Sequence, residues 1–212
     1  MLKKFTALEI QQLFFVLIFL LLLAAVASTE SQGGITVNFN DLASGEEVSP
    51  DRYLIEVGLR IEVGPTTSGR FLGSLTGTPC DGTRSLKPDP FGGPSFLLRF
   101  PHGVTSVSVD VGDIGPSDED KIIVKAFSDD SLLTLIDAKS ASIPQGAPTG
   151  CVSLSVQAII MASGLLIPIK AVEITSESFY VLSSNSPAGV SSYPNSIFMD
   201  NVTFEPVPQT VP

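Results

Sequence analysis

Residues 107–111 read Val-Ser-Val-Asp-Val, a strict alternation of apolar and polar side chains. Successive side chains of a β-strand point to opposite faces of a sheet, so this stretch predicts a strand with three valines on a buried face. Similar short runs recur along the chain and are bounded by Gly, Pro, Asn and Asp. This pattern is typical of half-buried strands.

The same pattern extends over most of the chain and predicts its architecture. No segment combines a sustained apolar repeat of 3.6 residues with helix caps, and 18 Gly and 16 Pro are scattered through the 212 residues. Connections are therefore expected to be hairpins and loops, which makes the sheets antiparallel. We expect an all-β chain folded as an antiparallel two-sheet β-sandwich, with irregular loops at 76–91, 143–150 and 184–195. The predicted strands are 35–40, 53–63, 70–75, 95–100, 104–111, 121–127, 132–138, 151–160, 169–175, 179–183 and 197–204.

The N-terminus has the layout of a secretory signal peptide. Lys3 and Lys4 precede an apolar run over residues 13–27, which ends in Ala-Val-Ala before a polar segment. At about 1.5 Å per residue this run spans roughly 22 Å, less than the ~30 Å hydrocarbon core of a bilayer. We therefore expect residues 1–27 to form a hydrophobic signal helix that is cleaved after Ala27, leaving a secreted protein. An uncleaved signal anchor is the alternative, and it would hold the same domain at the cell surface.

The remaining chain divides into three predicted segments. Residues 28–34 are a linker, residues 35–205 form the β-sandwich domain, and residues 206–212 are a Pro-rich tail that is expected to be extended. The start of the chain also offers a second interpretation. Residues 5–9, Phe-Thr-Ala-Leu-Glu, resemble the beginning of a mature type IV pilin, although Lys4 stands where pilin leaders end in Gly. That resemblance implies a pilin-like surface subunit.

The charge balance excludes one class of partner. The formal net charge is −10 and the sequence pI is about 4.4. A protein that binds nucleic acid must neutralise a run of phosphates, and an acidic chain without a basic stripe does not provide this. The acidic surface favours solubility and cation binding and opposes adhesion to anionic membranes. Membrane contact is therefore expected only through the N-terminal segment, if it stays uncleaved.

The two cysteines predict a disulfide. Cys80 and Cys151 lie in the exported part of the chain, where the environment is oxidising. Closing a loop of about 70 residues would stabilise the fold by roughly 4 kcal/mol in the chain-entropy model. The alternative, a reactive thiol or a metal ligand, lacks a partner in sequence because His102 is the only histidine and no Cys-x-x-Cys is present.

An acidic residue in the last predicted strand suggests a metal site. Period-2 alternation places Asp200 on the same face as Phe198 and Val202, where an uncompensated carboxylate would cost several kcal/mol. The first strand ends in Asn40 and Asp41, and first and last strands often lie side by side. The set Asn40, Asp41 and Asp200 could then share a structural calcium ion, because calcium prefers oxygen ligands. The alternative is an Asx turn at residues 40–41, with Asp200 bound by backbone amides.

Other candidate sites are few. Residues 113–120 contain four carboxylates but lack the pattern of an EF-hand loop, so a solvated turn is the plainer interpretation. With no Trp and three Tyr, the aromatic contact to a sugar ring is assigned to Tyr193, in a predicted loop; the alternative is an ordinary loop tyrosine. His102 has no evident nucleophile or carboxylate partner, and Gly-x-Ser-x-Gly is absent. We therefore expect no enzymatic activity.

Four short motifs together carry a resemblance to a known class of proteins. Residues 37–45, 53–61, 107–113 and 200–204 form an ordered series that resembles uncharacterised β-sandwich ectodomains of bacterial PEP-CTERM-type exported surface proteins. Those ectodomains are similar in outline to jelly-roll carbohydrate-binding modules. The resemblance implies an exported, non-enzymatic, jelly-roll-like domain, in which a calcium ion would join the first and last strands; Asn40 stands where Asp is common.

Two functional hypotheses follow. The first is a non-catalytic module at the cell surface or in the extracellular space that binds a glycan or a surface protein. The second is a structural or adhesive surface subunit, signal-anchored or pilin-like, without a small-molecule ligand. The sequence alone names no ligand.

Overall fold

The alternating runs form antiparallel β-strands in the computed structural model of the chain. The structure describes residues 33–65, 71–76, 80, 84–89, 95–113, 119–144, 150–180, 191–193 and 197–208. Residues Gly34–Val207 form one unit by their contacts. The predicted signal helix over residues 1–27 lies outside the described residues. No helix within the described ranges is long and apolar enough to span a bilayer.

The structure confirms the all-β, antiparallel fold class. One helical turn interrupts the strands before β3. The elements in chain order are β1 (Ile35–Val37), β2 (Glu47–Val48), α1 (Leu54–Val57), β3 (Arg60–Val63), β4 (Phe71–Thr76), β5 (Arg84–Asp89), β6 (Ser95–Asp113), β7 (Glu119–Phe127), β8 (Leu135–Ile143), β9 (Cys151–Gln157), β10 (Ile159–Ile160), β11 (Leu166–Ile167), β12 (Ile169–Tyr180), β13 (Ser191–Tyr193) and β14 (Ile197–Pro206).

The long strand β6 belongs to both layers of the sandwich. Its first part, up to Arg99, pairs with β3 and β12, and its second part, from Ser106, pairs with β14 and β9. Between the two parts, Val104 pairs with both β12 and β14. Sheet I therefore has the order β3-β6-β12-β7-β8, with β13 beside the end of β12. Sheet II has the order β2-β4-β5-β14-β6-β9, with β1 beside β14. Side chains from both sheets meet in one hydrophobic core.

The passage of β6 between the sheets depends on Gly103. This residue has a φ of 75°, and a Cβ there would lie 2.9 Å from the Pro168 side chain. Only glycine combines that backbone conformation with so close an approach. Prediction from the sequence separated strands 95–100 and 104–111 at this point. The structure shows one strand with an irregularity, because the pairing with β12 shifts register between Arg99 and Val104.

The core is built from the alternating apolar residues. Val107, Val109 and Val111 are all buried, as the alternation predicts. The rings of Phe100 and Phe204 pack with their centroids 5.1 Å apart and join β6 to the last strand. The predicted burial of the three valines is thus confirmed.

The first and last strands lie side by side, as predicted. β1 pairs antiparallel with β14, with Ile35 opposite Phe204 and Val37 opposite Val202. On the exposed side of this pair the Thr36 and Thr203 hydroxyl oxygens are 2.9 Å apart. The two ends of the domain are therefore joined by a regular ladder.

The predicted strand over residues 53–63 is wrong in its first half. Residues Leu54–Val57 form α1, which Gly58 ends in the left-handed conformation with a φ of 73°. Tyr53 is fixed before the helix because its ring packs edge-on against Phe39, with centroids 5.8 Å apart. This tertiary contact overrides the local β-propensity of the segment.

Other element boundaries also differ from the prediction. The predicted loops 76–91 and 184–195 contain β5 and β13, and the predicted strand 132–138 begins as a loop. The Gly- and Pro-rich sequence of residues 76–91 is typical of a loop, yet β5 within it pairs with β4 along its whole length. The predicted strand 151–160 divides after Gln157, because residues 151–157 pair with β6 whereas Ile159 and Ile160 pair with β11.

Candidate functional site

The disulfide between Cys80 and Cys151 is confirmed, with the two Cα atoms 5.7 Å apart. It ties the segment between β4 and β5 to the first residue of β9. The backbone N–H of Cys80 donates a 2.6 Å hydrogen bond to Oδ2 of Asp200. Asp200 is fully buried, so this donor supplies part of the compensation that a buried carboxylate requires. Backbone amides were one of the two kinds of partner predicted for Asp200, and calcium was the other.

Asp41 is engaged by two neighbours. Its Oδ2 lies 3.0 Å from Nη2 of Arg52, and its Oδ1 accepts a 2.9 Å hydrogen bond from the Tyr53 hydroxyl. Burial by itself would raise the pKa of Asp41, but the hydrogen bonds from Arg52 and Tyr53 outweigh it and leave the pKa below its ordinary value. Burial, together with the hydrogen bond to Asp41, raises the pKa of Tyr53. The group is therefore an ionised carboxylate held by a cation and a neutral phenol.

The predicted calcium ligands lie in two different settings. Asn40 and Asp41 are in the turn after β1, where Phe39 has a φ of 56° and bends the chain, whereas Asp200 is in β14. The backbone N–H of Asn40 donates a 3.3 Å hydrogen bond to Oδ1 of Asn38, which is the geometry of an Asx turn. Within the described ranges, no group of three or more His, Cys, Asp or Glu side chains is placed to hold a metal. The calcium set, which includes an Asn, stays a prediction.

Two other candidates fall largely outside the described residues. The backbone of Tyr193 lies in β13, in register with Ser178 of β12, but its side chain is not described. Most of the acidic stretch 113–120 is likewise not described. The ligand role of Tyr193 stays a prediction.

The outer face of sheet I carries a set of charged side chains that prediction did not single out. We call Arg60, Glu62, Arg99, Lys125 and Glu173 the charged face. Register places Glu62, Leu97, Glu173 and Lys125 in one row across four neighbouring strands. Glu62 and Glu173 both lie opposite Leu97, so their Cα atoms are two strand spacings, about 9.5 Å, apart.

Ion pairs connect the charged face. Oε1 of Glu62 lies 2.7 Å from Nε of Arg60, and Oε2 lies 3.1 Å from Nε of Arg99. On the other side of Leu97, Nζ of Lys125 lies 3.6 Å from Oε2 of Glu173. The side chains of Glu62 and Arg99 are 24% and 26% exposed, so these groups are accessible but held in place.

An apolar cluster lies between the two groups of ion pairs. Leu97, Phe127 and Ala171 are buried, and Leu132, from the loop between β7 and β8, packs against them. Nη1 of Arg99 donates a 2.7 Å hydrogen bond to the carbonyl of Asp130 in the same loop. The loop is thereby fixed across one margin of the charged face.

The carboxylate of Asp129 organises this loop. It accepts hydrogen bonds from the Ser131 hydroxyl at 2.6 Å and from the backbone N–H groups of Leu133 and Thr134 at 3.2 and 2.8 Å. These bonds, with that from Ser131 the largest contribution, hold the pKa of Asp129 well below its ordinary value. The loop thus has a defined conformation although it carries no regular secondary structure.

The charged face extends across four strands and can both donate and accept hydrogen bonds. Its carboxylates accept, its guanidinium and ammonium groups donate, and their charges nearly cancel. Sequence reasoning missed this face because its members come from four segments far apart in the chain. In the sequence these residues occupy only the polar positions of alternating runs, and every solvent-facing strand position has that property.

No protein-family model matches the sequence, and no curated protein is significantly similar to it. Among solved structures, the chain is similar to the K2 cleaved adhesin domain of Lys-gingipain, with 14% identity, a TM-score of 0.45, and coverage of 81% of this chain and 97% of that one. The xylan-binding module CBM15 has 12% identity, a TM-score of 0.40, and coverage of 84% and 100%. The module CsCBM6-3 of Clostridium stercorarium, solved with cellobiose, has 13% identity, a TM-score of 0.35, and coverage of 82% and 94%. At these values, function has to be argued from the chain's own residues.

Proposed function

We propose that this domain is an exported, non-catalytic binding module that recognises a glycan through the charged face of sheet I. The observation that carries the proposal is the row Glu62, Leu97, Glu173 and Lys125, in which paired charges flank a central apolar position. A sugar presents hydroxyl groups that both donate and accept hydrogen bonds. A face that alternates carboxylates with cations offers partners for both.

The charge balance of the face favours a neutral ligand. Arg60, Arg99 and Lys125 are each within 4 Å of a carboxylate on the same face. An anionic ligand that bound any of these cations would be repelled by the adjacent carboxylate of Glu62 or Glu173. A neutral, polyhydroxylated ligand meets no such conflict, and because the ion pairs already fix these side chains, little conformational entropy is lost on binding.

The disulfide supports the exported part of the proposal. Disulfides persist in oxidising compartments and are rare in reducing ones. Export is also what the N-terminal segment predicts. Tyr193 stays a separate candidate for a ligand contact, because its register partner Ser178 is five residues from Glu173 on β12 and therefore belongs to the other face of the sheet.

A matched pair of lysines provides the test. Lys125 is on the charged face, whereas Lys139 of the next strand is opposite the buried Val124 and so belongs to the other face of the sheet. Both are exposed and both pair with a carboxylate. Neutralising each lysine in turn distinguishes an effect of the charged face on binding from an effect of the protein's overall charge.

The measurement is binding to a glycan array, followed by titration with the best glycan. We expect Lys125→Gln and Glu62→Gln to weaken binding by about tenfold or more, since each removes a charged hydrogen-bonding partner. Lys139→Gln should bind like the unaltered protein. If no glycan binds, or if both lysine variants weaken binding equally, the proposal is wrong and the structural or adhesive subunit becomes the better hypothesis.

A further inference from the structure

A small hairpin stands apart from the two main sheets. β10 and β11 pair only with each other, with Ile159 opposite Ile167 and Ile160 opposite Leu166. The backbone N–H of Met161 donates a 2.9 Å hydrogen bond to the carbonyl of Leu165, and this bond closes the turn. We call residues 158–168 the apolar hairpin.

The apolar hairpin exposes large side chains to solvent. Ile160 is 71% exposed and Leu165 61%, while Met161 and Ile159 are 46% and 39% exposed. None of residues 158–168 is charged, although the chain has a formal net charge of −10. Large apolar side chains that stay uncovered next to each other make this hairpin a candidate interaction site.

Both faces of the apolar hairpin are open. Neighbouring residues in a strand point to opposite faces, and the neighbours Ile159 and Ile160 are both exposed. A flat protein partner would cover one face and leave the other in water. A fluid apolar layer would surround both.

The size of the patch also favours lipid. A fully buried aliphatic side chain removes about 100 Å² of apolar surface from water, so these four contribute on the order of 200 Å² at their observed exposure. A stable protein interface needs about 800 Å² on each partner. The apolar hairpin is therefore too small to be the core of a dimer interface.

Other exposed apolar residues lie at the same end of the sandwich. Leu133 and Leu135, 83% and 53% exposed, are at the end of β8 where Asp137 accepts a 3.0 Å hydrogen bond from the N–H of Gln157. Gln157 immediately precedes the apolar hairpin. This end of the domain therefore presents several uncovered apolar side chains together.

We propose that the domain inserts the apolar hairpin into the interfacial layer of an electrically neutral, zwitterionic lipid membrane. The absence of charge in the apolar hairpin suits a neutral layer, and the acidic character of the whole chain opposes an anionic one. Insertion of a few side chains gives weak, reversible association, which would hold the charged face near a cell envelope.

The absence of tryptophan from the chain makes a direct test possible. Ile160→Trp places a single reporter at the exposed position of the hairpin, and Ser142→Trp places one at an exposed position of β8 away from it. Both are made in the full chain, so any contribution of the N-terminal segment to vesicle binding is common to the two. Thermal melting checks that each variant is folded.

On addition of phosphatidylcholine vesicles, we expect the emission of Ile160→Trp to shift to the blue and to be quenched by lipids brominated in the acyl chains. Ser142→Trp should show neither change. Adding Leu165→Ser and Met161→Ser to the Ile160→Trp variant should raise the lipid concentration needed for the shift by about tenfold or more. Phosphatidylglycerol vesicles should be bound more weakly than neutral ones.

Two results would overturn this inference. One is an Ile160→Trp spectrum that does not change with phosphatidylcholine. The other is a blue shift that appears without vesicles and grows with protein concentration, which would assign the hairpin to contact between copies of the chain. Neither result depends on glycan binding, so this test and that of the charged face fail independently.

Discussion

The backbone N–H of Cys80 donates a hydrogen bond of 2.6 Å to the buried carboxylate of Asp200. Cys80 is also bonded to Cys151 at the start of β9. The disulfide therefore holds in place a donor that the last strand requires. A covalent link and a buried charge are thereby coupled at one point of the fold.

The first prediction concerns this disulfide. Replacing Cys80 and Cys151 with Ser should lower the free energy of unfolding by about 4 kcal/mol, because the unfolded chain regains the freedom of a long loop. Urea denaturation followed by circular dichroism measures the change. Reductant should destabilise the unaltered protein similarly and leave the double variant unaffected; a double variant as stable as the oxidised protein would contradict the prediction.

The second prediction tests the calcium set Asn40, Asp41 and Asp200. Arg52 lies 3.0 Å from the Asp41 carboxylate and would oppose a second cation there. If these three residues hold calcium, Arg52→Gln should increase the rise in Tm that calcium produces, and Asp200→Asn should abolish it. Melting curves with calcium and with a chelator provide the measurement. Identical curves for all three proteins would remove calcium from the account of this fold.

The third prediction concerns a glycine in β6. Gly112 is in register with Phe198, and a Cβ on Gly112 would overlap the buried Phe198 ring. Gly112→Ala should therefore destabilise the fold by about 1–3 kcal/mol, as overpacking does. Gly33→Ala is the control, because a Cβ there meets nothing within 4 Å. In urea denaturation, a Gly112→Ala variant no less stable than this control would refute the packing argument.

The fold class could be predicted because alternation is a local property. Val107, Val109 and Val111 point to the core for the same reason that they alternate with polar residues. The helix α1 could not be predicted in this way. Ile55 is 94% exposed, so the helical turn buries no apolar stripe that alternation could reveal. It lies between Tyr53, whose ring packs on Phe39, and Gly58, which ends it in the left-handed conformation.

The candidate site was harder to predict than the fold. Asp200 was identifiable because a carboxylate among apolar neighbours breaks the alternation. Glu62 and Glu173 obey the alternation, so nothing in sequence distinguishes them from other solvent-facing residues. Their relation to each other depends on both pairing with Leu97, which requires the strand order and register of the folded sheet.

The fourth prediction concerns the loop that borders the charged face. Its conformation depends on Asp129, whose carboxylate accepts hydrogen bonds from the backbone N–H groups of Leu133 and Thr134. Asp129→Ala should therefore increase the hydrogen-exchange rates of these two amides. The matched control is Asp130→Ala, which removes an exposed side chain but keeps the backbone carbonyl that Arg99 binds.

The pH dependence of the same loop follows from the lowered pKa of Asp129. An ordinary aspartate has a pKa of about 3.9, and a pKa that is lower in the folded state means that folding favours the ionised form. The stabilisation is therefore fully present above about pH 4 and is lost as the pH falls through the lowered folded value. In the unaltered protein, protection of the Leu133 and Thr134 amides should fall below pH 4 toward that of Asp129→Ala. Amide protection that stays constant down to the acid unfolding of the whole domain would show that the carboxylate does not hold the loop.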